Sequence, residues 1–416
     1  MGTPPVVSAP GEAWAPETAT AVQDAVREAV ATRAPIRIAG GGSWLDAGRP
    51  VASDARVLRL DGLRGITQYT PGDLTLTARA GTPLREIGEA TAAEGQWLAL
   101  DPFAASDDGG SIGAAIATAS AGPLAHALGL PRDVALGVEV VTGDGEIIRA
   151  GGRVVKNVAG YDLTRLMTGA WGTLGVITEV SVRLRARPEV DRTLAFARTR
   201  PAESAADVAA GIRTAAMAPL AAELLNPALA TRLGVTATGS PVLLLRLGGN
   251  AERVASEQSE AGKLGDGAVI DTDVWRALRQ CERSSPGAVV VRWSQLPSQV
   301  ANTWRHAVEC CAGSPDALIH ASLERGVVRA IIPAADAGAL ARVLRTEDRP
   351  PGGRVFAGRR IAERLPARLW AAEPAPGATD RLARRVRVAF DPWHILNPGI
   401  LGEGTRGAAD RPGGSP

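Results

Sequence analysis

Three glycines in a row, Gly40-Gly41-Gly42, come directly after the apolar run Ile36-Arg37-Ile38-Ala39 and before Ser43. Neither a helix nor a strand runs comfortably through such a triplet, because glycine loses the most backbone freedom on ordering and brings no side chain to pack. The triplet instead allows a backbone that bends where other residues cannot and closely approaches another group. Its N–H groups can converge on a phosphate without any lysine or arginine, and Ser43 can add a hydroxyl donor. A plain glycine turn fits the same residues, so the run predicts a loop before it predicts a ligand.

Two further small-residue stretches share this character. Asp107-Asp108-Gly109-Gly110-Ser111-Ile112-Gly113 opens a helix of small residues that closes at Ser120-Ala121-Gly122. A helix N-terminus presents free N–H groups to an anion, and Gly113 lets a group pack tightly on the first turn. A glycine-capped core helix is the alternative. Two such nests in one region favour a diphosphate ligand over either nest alone. The pattern is not the dinucleotide fingerprint, since no strand–GxGxxG–helix unit with a following acidic residue is present. The third stretch runs from Gly152-Arg153-Val154-Val155-Lys156-Asn157-Val158-Ala159-Gly160-Tyr161-Asp162-Leu163 to Gly169, Gly172 and Gly175. These three spaced glycines form an open loop that can pass its backbone along a flat ring or ribose, or serve as a bare strand entry.

The chain divides into segments by pattern. Residues 1–15 read as a flexible N-terminus and 16–188 as a glycine-punctuated α+β region. Thr18 is placed to cap a helix with apolar face Val22, Ala25, Val26, Ala29 and Val30, which ends at Pro35. Leu74–Ala78 reads as a strand, and Thr82 as the cap of a helix holding Leu84 and Ile87 that stops at Gly95. Val176–Leu184 alternates as a half-buried strand. Residues 189–379 form a second α+β module. Its strand-like runs are Thr193–Ala197, Val242–Leu247, Ala288–Trp293, Val327–Ile332 and Arg354–Ala357. They alternate with helical runs Ala202–Met217, Ala251–Leu264, Ser298–Cys311 and Ala335–Leu344, which predicts an antiparallel sheet covered by helices. Residues 350–353 and 373–378 read as loops. Residues 380–401 carry a short helix and the turn Asn397-Pro398-Gly399, and 402–416 read as a disordered tail.

Composition narrows the function classes. Basic and acidic residues number 46 and 44 of 416, so no nucleic-acid surface is expected. Cys281, Cys310 and Cys311 make no disulfide framework, which fits a reducing cytoplasm. The N-terminus lacks the basic and apolar regions of a signal peptide, and no run of about 18 apolar residues predicts a membrane span.

In this order, the three glycine sites resemble the FAD-binding domain of the vanillyl-alcohol oxidase and p-cresol methylhydroxylase (PCMH) type. The closing Phe390-Asp391-Pro392-Trp393-His394-Ile395-Leu396-Asn397-Pro398-Gly399 resembles that family's Asp-Pro…Asn-Pro-Gly segment. The stretch Lys156–Leu163 with Arg165-Leu166-Met167 and Gly172-Thr173-Leu174-Gly175 is similar to the E-subunit type of bacterial glycolate oxidase, a three-subunit complex. The resemblance implies an α+β fold, with a two-subdomain PCMH-type FAD-binding domain and an α+β cap. It implies non-covalent FAD, with pyrophosphate roles for Gly40, Gly41, Gly42, Ser43, Gly110, Ser111, Ile112 and Gly113. Pro102, Ser120, Ala121, Gly122, Gly172, Gly175, Val176 and Ile177 would follow the rest of the cofactor, with Ile177 near the adenine end. Asn397 would sit near the flavin ring. Two positions depart from the pattern: Trp171 stands where many relatives have an acidic residue, and His394 where they often have glycine.

The implied role is an FAD-binding subunit of a glycolate oxidase-like complex. It would carry electrons from a small hydroxy acid towards an iron–sulfur subunit beside a second FAD subunit, in the cytoplasm and at the inner membrane only through partners. A stand-alone FAD-dependent alcohol or hydroxy-acid dehydrogenase and a catalytically silent scaffold remain as alternatives. The four histidines, His126, His306, His320 and His394, form no HxH or HxxxH pair for a metal, and the catalytic residues stay unassigned. Arg246, Arg292 and Arg329 are candidate carboxylate clamps, or ordinary salt-bridge partners. Tyr161 is a motif residue that a buried structural ring explains equally well.

Overall fold

The structure is a computed structural model that describes residues 13–103, 110–152, 161–197, 205–235, 239–283, 287–344, 359–371, 373 and 381–402. The expected strand Arg354–Ala357, Asp107–Gly109, Arg153–Gly160 and the tail beyond Gly402 lie outside the described residues.

The first helix, Ala19–Thr32, follows its sequence signals. Thr18 accepts from the Ala21 N–H at the N-cap, and Val22, Ala25, Val26 and Ala29 are buried. They pack on Ile36, Leu58, Val141, Val176, Ile395 and Leu396. Strand Ile36–Ala39 runs parallel to Arg56–Arg59. Trp14, read as part of a flexible start, is held instead by a hydrogen bond to the Val57 carbonyl and a parallel bridge to Leu58.

A five-stranded antiparallel sheet carries the rest of this half, in the order Ile66–Thr70, Thr75–Arg79, Val176–Arg183, Ala135–Val141, Ile147–Gly151. The helices Leu84–Ala92 and Ile112–Thr118 place Ile87, Ile112 and Ile116 against its Leu76, Val138, Val180 and Val182. Thr82 does not cap the helix it precedes. Pro83 holds the N-cap position, and the Thr82 hydroxyl donates to the Arg79 carbonyl at 2.7 Å and accepts from Gly65 N–H at 2.9 Å. The turn after the strand thus claims the side chain before the helix can.

The second module is an eight-stranded antiparallel sheet, in the order Ala268–Ile270, Val190–Ala197, Val242–Gly249, Ala221–Leu225, Leu318–Ser322, Val327–Ile332, Val289–Ser294, Arg359–Arg364. Both faces are covered. Leu224, Leu243 and Leu245 enter one core, while Ala221, Leu225 and Leu244 enter another. Ala221–Leu225 and Leu318–Ser322, absent from the sequence reading, are buried at every position. Double burial erases the alternation that reveals a strand.

After helix Arg381–Phe390 the chain returns to the first strand. Leu396 bridges Ile36 in parallel, Ile36 N–H donates to Ile395 O at 2.7 Å, and Asn397 N–H donates to Ile36 O at 2.9 Å. Asp391, fully buried, accepts from the Ile395 and Leu396 N–H groups at 3.1 and 3.0 Å and so fixes this turn. Burial pushes its carboxyl up to about 6, even though those N–H bonds favour the ionised form.

Candidate cofactor cleft and cap cavity

The glycine triplet opens onto a narrow cleft. Its wall includes Arg37, Gly40, Gly42, Ser43, Trp44, Ser111, Gly113, Trp171, Gly172, Gly175, Ile177 and Asn397, so residues from all three glycine stretches and the C-terminal turn meet there. Gly42 has φ 83° and Gly172 φ 67°, a region that favours glycine. A Cβ on Gly40 would fall 2.4 Å from the Ser111 hydroxyl, whereas one on Gly41 would meet nothing within 4 Å. Among the described residues, the Gly40, Gly41 and Gly42 N–H groups have no protein acceptor. Such a loop is ready to receive an anion.

The second expected nest is built differently. Ile112 N–H donates to Thr82 O at 3.0 Å and Gly113 N–H to Ala80 O at 2.9 Å, while Ala114 N–H reaches the Ser111 hydroxyl at 3.4 Å. These groups therefore do not point free N–H bonds at a phosphate, as the sequence suggested. Gly113 is needed for close packing, since a Cβ there would lie 2.6 Å from Ala80 Cβ. Gly110, at φ 73°, leaves room for the Trp44 ring 2.5 Å from where its Cβ would be. Ile112 and Val176 turn their side chains into the core. Pro102 is buried, and Gly122 packs on Asp101, whose carbonyl would lie 1.9 Å from an added Cβ.

Arg37 was not singled out by sequence. It lies between Ile36 and Ile38 on the strand, and both it and Ile38 line the cleft. Its guanidinium donates to Leu45 O at 3.1 Å. Burial pulls its pKa down to about 10, which still leaves it charged at neutral pH. Asn397 clasps the cleft's two sides: its Oδ1 accepts from Ile38 N–H at 2.9 Å and its Nδ2 donates to Trp171 O at 2.7 Å.

Trp44, Thr118, Trp171 and Ile400 also line a second, wider cavity of about 1040 Å³ against the cap sheet. Ser120 and Ala121 border it from below. From the cap come Arg292, Arg325, Arg329, Arg359, Arg360 and Arg364, and Arg49 faces them. Among the described residues, the acidic side chains on this wall are Glu282, Glu324, Glu363 and Glu373, fewer than its arginines. Arg292 and Arg329 both bind Glu363, at 2.6 and 3.0 Å. Burial alone would raise Glu363, but Arg329 and Arg292 hold it down to about 2. Burial raises Glu282, against the pull of Arg329. Arg325 crosses to the lower wall and donates to Gly122 O at 3.0 Å, and Arg364 reaches Asp46 at 3.2 Å.

Of the candidate clamps, Arg292 and Arg329 line this cavity while engaged with Glu363; Arg246 instead pairs with Asp191 at 2.6 Å. His320 is buried and contacts Glu223 at 2.8 Å. His306 meets Cys310 Sγ at 3.6 Å in the cap. His394, with φ 52°, holds a left-handed position, which explains why glycine suits it; it lines neither cleft. Tyr161 is 94% exposed, not a buried ring. His126 borders the wide cavity, with Nε2 2.7 Å from Glu324 Oε2. Among the described residues no cluster of three or more His, Cys, Asp or Glu could hold a metal, and no helix is long and apolar enough to cross a membrane.

The narrow cleft and the wide cavity, which share Trp44, Thr118, Trp171 and Ile400 in their walls, together suit an extended flavin dinucleotide. The glycine N–H groups and Arg37 suit a pyrophosphate, and the wide cavity has room for a flat ring with a small substrate. Comparison with known proteins agrees. Residues 12–151 match the family described as "FAD binding domain". The chain is 40% identical over 174 residues to glycolate oxidase subunit GlcE of Escherichia coli (strain K12), covering 42% of this chain and 49% of that protein. It is 31% identical over 300 residues to glycolate oxidase subunit GlcD of Bacillus subtilis (strain 168), covering 69% and 63%. It is 35% identical over 182 residues to a D-2-hydroxyglutarate dehydrogenase of Xanthomonas citri pv. viticola, covering 44% and 38%. The chain thus spans about half the length of the curated relatives it matches. Among solved structures, p-cresol methylhydroxylase with substrate bound superposes with a TM-score of 0.71 at 16% identity, over 93% of this chain and 88% of that one. Alkyldihydroxyacetonephosphate synthase gives 0.65 at 17%, over 92% and 76%. At these identities the likeness is one of fold.

Proposed function

We propose that this chain, which carries an FAD-binding domain of the PCMH type, is the FAD-binding subunit of a glycolate oxidase-like complex. In this reading it takes electrons from a small 2-hydroxy acid and passes them towards an iron–sulfur subunit beside a second flavoprotein. The observation that carries it is the glycine cleft lying against an arginine-rich cavity, the two sharing Trp44, Thr118, Trp171 and Ile400. Bound FAD supplies the two-electron acceptor. The Gly40–Gly42 N–H groups and Arg37 hold the pyrophosphate, and the loop Ser120–Gly122 supports the ring end of the cofactor. The positive excess of the cavity wall attracts a carboxylate, which suits a hydroxy acid and disfavours a neutral alcohol. The relay onward lies on another polypeptide, because an iron–sulfur cluster takes about four cysteine ligands and this chain has three cysteines, all buried. Such a subunit works in the cytoplasm and reaches the inner membrane only through its partners.

Two measurements test this reading. Anaerobic addition of glycolate or lactate should bleach the flavin of the chain co-expressed with its partners, and turnover with a dye acceptor should appear with those partners and stay poor without them. Robust turnover by the isolated chain would favour the stand-alone dehydrogenase. Failure of every hydroxy acid to bleach the flavin in the complex would overturn the substrate class. A separate expectation concerns attachment. Among the described residues, the narrow cleft's wall has no His, Cys or Tyr, so acid precipitation should release all the FAD and leave a colourless pellet. A pellet that stays fluorescent would place a covalent link elsewhere, with His126 as the histidine on the cavity wall.

A further inference from the structure

We propose that Arg325 is the residue that receives the substrate carboxylate; this rests on the functional reading above. The turn Leu323–Arg325 mounts it on the cap sheet. Leu323 is fully buried, Gln295 N–H donates to Gly326 O at 2.9 Å, and a Cβ on Gly326 would lie 2.2 Å from Gln295 O. The backbone that carries Arg325 is therefore pinned on both sides. The residue is half-buried and lines the wide cavity. Its Nη1 donates to Gly122 O at 3.0 Å and to Ala121 O at 3.5 Å. Nε and Nη2 have no acceptor among the described residues, and neither atom is sealed from solvent.

The carboxylates of this wall are committed elsewhere. Glu363 takes Arg292 and Arg329, and Glu282 lies 3.3 Å from Arg329. Glu373 pairs with Arg360 at 2.8 Å, and Glu324 is 2.7 Å from His126. Glu223 and Asp101 act on Arg325 through space, but Glu223 is bound to His320 and Ser322 and Asp101 to Leu124 N–H. Arg325 thus carries a positive charge with no ion-pair partner among the described residues. Burial pulls its pKa down and the Arg329 charge adds to that, as befits a cation short of negative charge. Arg359 also has no carboxylate among the described residues, but it is exposed, so water balances its charge. A ligand carboxylate supplies what Arg325 lacks. Nε and Nη2 form one edge of the guanidinium, which takes a carboxylate in two parallel hydrogen bonds while Nη1 stays on the Gly122 carbonyl. The Ser120–Gly122 loop is assigned above to the ring end of the cofactor. A 2-hydroxy acid held on Arg325 is therefore brought to the flavin with its carboxylate fixed and its carbinol free, whereas a neutral diol of the same size gains no such pair.

The test combines binding with kinetics. Isothermal titration of the purified chain, with and without flavin, uses oxalate, a dicarboxylate that has no carbinol to oxidise. Arg325→Gln should weaken oxalate binding about 10- to 100-fold, and Arg325→Lys should recover part of it. In the FAD-loaded complex with a dye acceptor, the same loss should appear in KM for glycolate, with kcat changed much less and flavin content as in the wild type. Preference for glycolate over ethylene glycol should shrink by a similar factor. No oxalate binding by the wild type, or wild-type affinity in Arg325→Gln, would overturn the assignment. Flavin loss from Arg325→Gln with unchanged oxalate affinity in the flavin-free chain would make the residue a prop for the Gly122 loop, and overturn it equally. Arg325-dependent oxalate binding, with no flavin reduction by any hydroxy acid in the wild-type complex, would uphold the carboxylate site and count against the functional reading, so the two failures are distinct.

Discussion

Gly113→Asp should yield a colourless and destabilised protein. A Cβ at this position lands 2.6 Å from Ala80 Cβ and 2.8 Å from Ala80 O, so the helix Ile112–Thr118 must move away from the strand Thr75–Arg79. That movement strains the bonds from Gly113 N–H to Ala80 O and from Ile112 N–H to Thr82 O. The added carboxylate is buried beside that carbonyl without a partner. Overpacking and an unpaired buried charge together cost about 3–5 kcal/mol. The charge also faces the cleft that receives a diphosphate, so flavin is lost even from molecules that fold. Flavin absorbance and a thermal melt of the purified variant would show both effects; full flavin occupancy would mean that the cleft is misassigned. Gly41→Ala is the contrasting variant. Its Cβ meets nothing within 4 Å, so it should fold normally and report on cofactor approach alone.

The second large effect is expected at Asn397. In Asn397→Leu, the partly buried Ile38 N–H loses its acceptor and the partly buried Trp171 carbonyl loses its donor. Each orphaned buried group costs about 1–3 kcal/mol. Asn397 also sits at φ 42°, a conformation that asparagine tolerates better than leucine. The expected loss is therefore about 3–6 kcal/mol in total. It should appear as a lower first unfolding transition together with weaker FAD retention, because the residue joins the Ile36–Ala39 strand to the Gly172 loop. Asn397→Asp keeps the acceptor and loses only the donor, so it should fall between. A Leu variant that melts like the wild type would show that the clasp contributes little.

Much of this fold could be read from the residues. The glycine stretches mark loops by local backbone demands alone, and the amphipathic pattern of Ala19–Thr32 gives its buried face directly. Periodicity failed where packing was two-sided: Ala221–Leu225 and Leu318–Ser322 lie inside the cap sheet and show no alternation. It also could not show that the Ile112 and Gly113 N–H groups are taken by Thr82 and Ala80, since those partners come from a different element. His126 carries no local sign of its contact with Glu324, which comes from the cap. Arg37 follows the buried Ile36, yet the half-buried Ile38 after it lines the cleft too, so the alternation in this strand did not single Arg37 out.

The parallel bridge from Leu396 to Ile36 joins opposite ends of the chain, and the bond from Ile38 N–H to Asn397 spans 359 positions. During translation the glycine loop emerges long before the segment that supports it, 359 positions later. Nascent chains would therefore expose an incomplete first strand, with its apolar Ile36 lacking its cover, until residues 391–400 have emerged. Domains that wait for distant segments are prone to misassembly. Flavin capture waits for that segment, and a nonsense mutation after Phe390 would abolish the cofactor site while leaving the cap sheet's strands intact.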